Sequence, residues 1–533
     1  MLNKAEFFSL IGPPYGAPGR FRCLQPLTRA LRLWLASGMH SSLADISSFG
    51  SIDADNDRFL HDCFEDHEAF ENAVRMERFL LVGRKGSGKT SIFKKLITTR
   101  APNYFSIGHT FSDYPWHYHQ AQARVGIPDL QRYSHSWKYL ILLTVSKIIL
   151  NQDQSLPYDE ASIEDMVKIE SFVVDSYGTK NPDITQVFSP SKTLKLRPSF
   201  TVDFKVLKAG VSPDNLPMEH LPVIIQDVNR NLTRLVLNTL NPDHRYFISF
   251  DELDLGFAPD DPEYSSRLVG LFAAARDLNR AAREAGKKLF VVVFLRDDIY
   301  ERLHFEDKNK ITENHFSRIE WDTEHTSRTL KSLMEKRFEV ILRDRPESRW
   351  DDIFDENQEI KGSRSKYDFI LARTFLRPRD MIKFCNVVLS RFKARVRMQR
   401  SGQTMRFQNE DIYAALNEYS QYLYREIDDE IHKHLPDYRS YFDVLRRIGN
   451  YRFRFADFLR EYEKGPTNGN HPAQVLKSLY EFSIIGFLQG DDQRRGFVYR
   501  YKNPGLDYDE TSEVFEVHPG LLDCLGLKRN ALR

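Results

Sequence analysis

The run Arg78-Phe79-Leu80-Leu81-Val82-Gly83-Arg84-Lys85-Gly86-Ser87-Gly88-Lys89-Thr90 decides the fold. An apolar, strand-like stretch leads into the pattern G-x-x-x-x-G-K-T, and Ile92, Phe93 and Leu96 follow at helical spacing. Strand, glycine loop and helix come in the order that a phosphate-binding loop requires. The glycines let the backbone curl until successive N–H groups and the helix N-terminus point at phosphate oxygens. Lys89 adds a cation for the β- and γ-phosphates, and Thr90 a hydroxyl for magnesium. The expected ATP-binding residues are therefore Gly83, Arg84, Lys85, Gly86, Ser87, Gly88, Lys89, Thr90 and Ser91.

Hydrolysis needs a second strand that holds the metal and a base that orients water. Tyr246-Phe247-Ile248-Ser249-Phe250-Asp251-Glu252 reads as a strand buried on both faces, its two carboxylates lying where a parallel sheet presents ligands. Asp251 is expected to hold Mg2+ together with Thr90, and Glu252 to act as general base. Asp254 is read as a loop acid or helix cap. A third strand, Leu289 to Leu295, is apolar throughout and ends in Arg296-Asp297-Asp298. This set is similar to additional-strand ATPases, in which a polar sensor ends the strand beside the acidic one. Arg296 occupies that position, with a structural pair to Asp297 or Asp298 as the competing reading. Phe316 to Trp321 alternates like a final strand nearer the sheet edge. The expected fold is α/β: a doubly wound parallel-sheet core of the P-loop NTPase type, with a helical lid and a C-terminal winged-helix domain.

At 533 residues the chain exceeds a single core. The expected division is an N-terminal extension over 1–46, an ATPase core over 47–325 with an insertion at about 150–220, a lid over 326–434 and a winged helix over 435–533. Residues 1–38 carry Arg20, Arg22, Arg29 and Arg32 against the single acid Glu6. They read as a disordered tail or an extension from an upstream start rather than as a transit peptide. Within the insertion, Thr193 to Arg197 and Thr201 to Val206 alternate like a hairpin. His117 and His119 near Asp113 have short metal-ligand spacing, but no cysteine or further histidine completes a set. Trp116, Tyr118 and Trp137 read as core aromatics.

Phe375-Leu376-Arg377-Pro378-Arg379-Asp380 opens a helix with arginines clustered at its start. Positive charge there opposes the helix dipole unless an anion compensates, which favours Arg377 or Arg379 facing a phosphate. A pair with Asp380 is the structural alternative. Beyond residue 440, helices over 442–448, 455–462 and 472–482 precede two short strands flanking Gly490-Asp491-Asp492, the pattern of a winged helix. Residues 441–502 hold eleven Lys and Arg against seven Asp and Glu. That face suits DNA or protein, with Gln474, Lys477, Ser478 and Glu481 on the outside of the third helix.

Composition bounds the reading. Basic and acidic side chains number 76 and 75, so the chain as a whole is not a polycation and any nucleic-acid contact must be local. Cys23, Cys63, Cys385 and Cys524 form no Cys-x-x-Cys pair, which fits a reducing, cytoplasmic setting. No apolar run approaches the roughly 20 residues that span a bilayer.

Taken together, Gly83 to Thr90, Asp251-Glu252, Leu295 to Ile299, Asp307 to Lys310, Glu320-Trp321 and Arg377 to Asp380 resemble a family of prokaryotic P-loop ATPases. That family is related to AAA+ and STAND ATPases and is met among phage-defence and mobile-element genes. The resemblance implies an ATP-driven switch or motor in an antiviral defence complex, working as a homo-oligomer or with a protein effector. The alternative is a DNA-remodelling or loading ATPase similar to replication initiators. A GTPase lacks support, because no Asn-Lys-x-Asp motif is present, and Glu252 argues against a small-molecule kinase. By the same resemblance, Lys308 or Lys310 would reach a neighbouring subunit's γ-phosphate.

Overall fold

In the computed structural model the described residues are 43–110, 129–153, 155, 159–183, 193–194, 216–217, 221–254, 262–323, 326–342, 348–398, 406–432, 434–465, 470–490 and 496–529. The chain is α/β, with a five-stranded, wholly parallel sheet followed by a helical C-terminal region. The sheet runs β2 (Tyr104–Thr110), β5 (Arg245–Asp251), β6 (Lys288–Arg296), β1 (Leu80–Gly83), β7 (Phe316–Arg318). β6 thus lies between the strand of the glycine loop and the strand of the two acids.

Both faces are covered, which is why β1, β5 and β6 read as unbroken apolar runs. The faces can be told apart on β2. Gly108 abuts Phe93 of helix α2 (Lys89–Thr98), so close that a Cβ would stand 2.4 Å from the ring. His109, the next residue, turns the other way and its Nε2 lies 2.9 Å from Thr144 Oγ1 in helix α3 (Asp129–Asn151). α3 packs along helix α6 (Pro262–Glu284), whose Asn279 clips both the N–H and the carbonyl of Val291 on β6. Helix α3 ends at Asn151, where the region expected as an insertion begins. Helix α4 (Glu160–Tyr177) joins this layer, and helix α5 (Leu221–Thr239) leads into β5. Helix α1 (Glu68–Val74) precedes β1; helices α7 (Asp297–Arg302) and α8 (Lys308–His315) separate β6 from β7.

The second core belongs to helices α9 (Leu330–Ile341), α10 (Trp350–Ile353), α11 (Lys366–Leu371), α12 (Pro378–Met398) and α13 (Asn409–Ile431). It extends into a C-terminal unit of α14 (Tyr438–Ile448), α15 (Phe455–Tyr462), α16 (Pro472–Glu481), the short α17 (Leu522–Leu525) and a four-stranded antiparallel sheet ordered β10 (Gly496–Val498), β9 (Ile485–Gln489), β11 (Val514–Val517), β8 (Arg452–Arg454). Leu43, Ile46 and Phe49 pack into this second core, not into the sheet's. A buried pair, Arg337–Asp57 at 2.7 Å, ties that segment to α9.

Several sequence expectations change. β3 (Thr193–Leu194) pairs with β4 (Leu216–Pro217), whereas the expected partner over 201–206 lies outside the described residues. The last strand of the parallel sheet stops at Arg318, although the Ile319 N–H still donates to the Val82 carbonyl. In the C-terminal sheet β8 (Arg452–Arg454) and β11 (Val514–Val517) join the expected hairpin strands β9 (Ile485–Gln489) and β10 (Gly496–Val498). β10 ends at Val498 because Tyr499 and Tyr501 turn into the core. His117, His119, Asp113, Trp116, Tyr118 and residues 1–42 lie outside the described residues. Trp137 is a core aromatic, edge-on to Phe250.

Candidate functional site

The ends of β1 and β5 open on a cavity of about 280 Å³ lined by Lys85 to Ile92, Asp251, Glu252, Asp254, Arg296 and Arg379. The loop between β1 and α2 can form because Gly86 and Gly88 take φ of 80° and 104°, a region open to glycine. Several of its carbonyls are engaged by side-chain donors. Lys89 Nζ donates to the Gly83 and Arg84 carbonyls at 2.8 and 2.9 Å, Arg377 to that of Lys85 at 3.0 Å, and the Trp321 indole N–H to that of Ser87 at 2.9 Å. The N–H of each such peptide points opposite to its held carbonyl, so these bonds fix the direction of the loop's donors. Lys89 also stands at the start of α2, where the helix dipole is positive.

Asp251 is 3% exposed; Thr90 and the N–H of Glu252 hydrogen-bond to its carboxylate, yet Oδ2 has no partner. Burial raises its pKa above the usual carboxylate range. Burial also lowers the pKa of Lys89, against the pull of Asp251 and Asp254. A half-buried cation beside a buried carboxylate, with no ion pair to satisfy them, is suited to an ionic ligand. Glu252 takes φ of 57°, an uncommon conformation for a non-glycine residue, which projects its side chain from the end of β5 at the cavity wall.

Arg296, at the end of β6, lines the cavity and is already engaged. Its Nε and NH2 grip Asp298 at 3.0 and 2.7 Å, and NH1 reaches Asp254 at 3.3 Å. Burial alone would raise the pKa of Asp298, but His434 and Arg296 together drive it far below the usual range. Asp254, read from the sequence as a loop acid, thus takes part in the cavity wall.

The two arginines at the head of α12 separate. Arg377 is 1% exposed, with Nε and NH2 on Asp380 at 2.8 and 2.9 Å and NH1 on Glu430 at 2.8 Å. Its charge is engaged by carboxylates and a loop carbonyl, the contacts of the alternative reading with Asp380. Arg379 does line the cavity; it donates to Glu426 at 3.0 Å and covers Gly86. Lys308 is likewise committed: its ammonium donates to the Glu301 and Leu303 carbonyls and sits over the Tyr300 ring. Lys310 is exposed and paired with Asp307 at 2.7 Å.

Arg84, expected on the nucleotide side, sends its side chain backwards. The guanidinium lies over Phe375 at 4.9 Å and Tyr501 at 5.9 Å, and NH1 is buried without a partner. It borders a second cavity of about 490 Å³ between the sheet end and the C-terminal unit, into which Lys477 and Glu481 of α16 also face. Arg500–Glu301 at 2.9 Å bridges that gap. Lys477 and Glu481, read from the sequence as available outward, stand at the rim of this cavity, Lys477 half-buried and Glu481 exposed. Arg494 and Arg495 lie outside the described residues.

Sequence reasoning missed the wall contributed by residues 51–67, with Leu60, Cys63 and Phe64 against Leu333 and Ile382. No motif marks it, since that apolar surface is assembled from three distant segments. Among the described residues no group of His, Cys, Asp and Glu makes a separate metal site, and no helix is long and apolar enough to cross a membrane.

Residues 328–428 match the model of the FunZ-associated C-terminal helical domain, nearly the stretch read from the sequence as a helical lid. The transposon gamma-delta 80.3 kDa protein of Escherichia coli (strain K12) is 23% identical over 518 residues, covering 91% of this chain and 68% of that protein. Both likenesses fit a gene of mobile elements.

Proposed function

We propose that the chain is an ATP-binding, ATP-hydrolysing switch or motor protein of the additional-strand P-loop class, serving a mobile-element or antiviral defence system. One observation carries the reading: the glycine loop with Lys89, the partly unpartnered carboxylate Asp251 and the strained Glu252 converge on one cavity. The position of β6 between β1 and β5 supports the additional-strand assignment.

In this reading Gly86, Ser87, Gly88, Lys89, Thr90 and Ser91 bind the polyphosphate, with Lys89 turning from the loop carbonyls toward it. The residues fit magnesium as well, because Thr90 and the free Oδ2 of Asp251 supply hard oxygen donors side by side. When bound there, magnesium would neutralise charge on the phosphate oxygens. Glu252 holds the attacking water and takes its proton. Arg379, at the cavity wall, is placed to answer charge on the terminal phosphate, and Arg296 can do so only by loosening from Asp298 or Asp254. Arg377 positions the loop through the Lys85 carbonyl.

The test is Glu252→Gln. It should bind ATP as the wild type does while turnover falls roughly a hundredfold or more. Turnover near the wild-type rate removes Glu252 from the chemistry, and a wild type without nucleotide affinity removes the whole reading.

A second reading has its own support. The relative's name ties it to a transposon, and α14 to α16 with the strands β9 and β10 follow the order of a winged helix. A DNA-remodelling ATPase would use the same catalytic residues, and DNA-stimulated turnover distinguishes it from a switch that answers to a protein effector.

A further inference from the structure

Trp321 follows β7 at the edge of the sheet and is 5% exposed, yet its ring lines the nucleotide cavity. Its Nε1–H is the donor that holds the Ser87 carbonyl, at 2.9 Å. Ser87 stands between the two left-handed glycines, at the most sharply turned part of the loop. The carbonyl and N–H of one peptide point in opposite directions, so the bond that holds the Ser87 carbonyl also fixes the direction of the Gly88 N–H.

The indole is itself locked. His67 lies against it with ring centroids 5.0 Å apart. The Nδ1 of His67 accepts from the Ala69 N–H at 3.0 Å, which leaves the ring proton on Nε2, 2.7 Å from the Glu320 carbonyl. On the other side Asp322 takes φ of 53°, accepting from the Leu330 N–H at 2.6 Å and from the Tyr367 hydroxyl at 2.8 Å. Each neighbour of Trp321 is thus fixed by a separate element, α1 or α9 and α11.

We infer that Trp321 is a positioning residue for nucleoside polyphosphates: it sets the Ser87–Gly88 peptide so that the Gly88 N–H meets phosphate, and its ring reports occupancy of the cavity. This rests on the ATP reading above. Because the residue acts through a loop N–H, its loss weakens ground state and transition state alike. KM should rise and kcat should hold.

The experiment uses the full chain, with Mg-ATP for turnover and a non-hydrolysable ATP analogue with magnesium for calorimetry. Trp321→Phe keeps the ring against His67 and deletes only the donor. It should bind the analogue roughly two- to tenfold more weakly, as loss of one neutral hydrogen bond predicts, with a matching rise in KM. The wild type should change its tryptophan emission on adding the analogue, and Trp321→Phe should lose that change although four other tryptophans remain. A merely structural role would lower thermal stability and leave affinity and KM unchanged, which overturns the assignment. A wild type that binds the analogue with no change in emission overturns it too, even if the variant does not fold. A wild type that binds no nucleotide by calorimetry overturns the ATP reading and this inference together.

Discussion

Arg377→Met separates a buried structural cation from a phosphate sensor. The guanidinium makes two bonds to Asp380, one to Glu430 and one to the Lys85 carbonyl, all between 2.8 and 3.0 Å. Asp380 is fully buried, and its Oδ2 also accepts the Phe375 N–H at 3.0 Å. Methionine fills much of the volume but leaves two carboxylates without their cation. Breaking a buried pair in this way costs about 3–5 kcal/mol. For a cooperative body of 150–250 residues each kcal/mol moves the midpoint by about 2–4 °C, so the melting transition should fall by roughly 6–20 °C. Differential scanning calorimetry reads the shift. Adding Asp380→Leu and Glu430→Leu should recover much of it, short of the roughly 1–3 kcal/mol for the orphaned Phe375 N–H. A single variant that melts within about 2 °C of the wild type while losing nucleotide affinity would refute the reasoning and restore Arg377 as a sensor.

Two further outcomes are expected. His67 and His518 are 2% and 0% exposed, and burial lowers both pKa values below the ordinary 6.5. Neutral in the fold and charged when unfolded, they contribute stability that is present above pH 6.5 and lost as pH falls through that value. The slope from each is up to about 1.4 kcal/mol per pH unit; denaturant melts between pH 7 and 5 test it, and His67→Gln should flatten the curve. If the C-terminal unit binds duplex DNA, residues 435–533 alone should bind more tightly than the full chain, with affinity falling steeply with salt. Equal affinities at low salt would show that the Arg500–Glu301 contact does not restrain that face.

The parallel sheet was legible because burial on both faces writes itself as apolar runs: Leu289 to Leu295 and Tyr246 to Phe250 need no partner in view to be read as strands. The loop was legible because few sequences satisfy both its glycines and the strand and helix around them. What stayed hidden depends on contacts remote in sequence. Nothing near Arg377 and Arg379 says which one turns inward, since Asp380 is adjacent but Glu430 is a helix away. Arg296 was readable as either sensor or Asp298 partner, and the fold places it against both the acid and the cavity. β8 and β11 are too short for periodicity to register, and their pairing is fixed by Phe453 and Phe515 stacked across the sheet. Trp321 matters through a carbonyl 234 positions away, which no local pattern encodes.

Arg84 carries a consequence for how the molecule can be dissected. Its guanidinium rests on Phe375 from the helical region and Tyr501 from the C-terminal unit, while its own backbone is part of the glycine loop. Cutting the chain before residue 435 would strip one aromatic face from that side chain and hydrate a charge that is now sheltered. The truncated protein would then differ at the cavity beside the glycine loop as well as at the missing surface, so a change in the proposed ATP turnover could not be credited to a lost partner. A cleaner instrument is Tyr501→Phe, which keeps the ring beneath Arg84 and the chain intact, set beside Tyr501→Ala, which removes the ring alone.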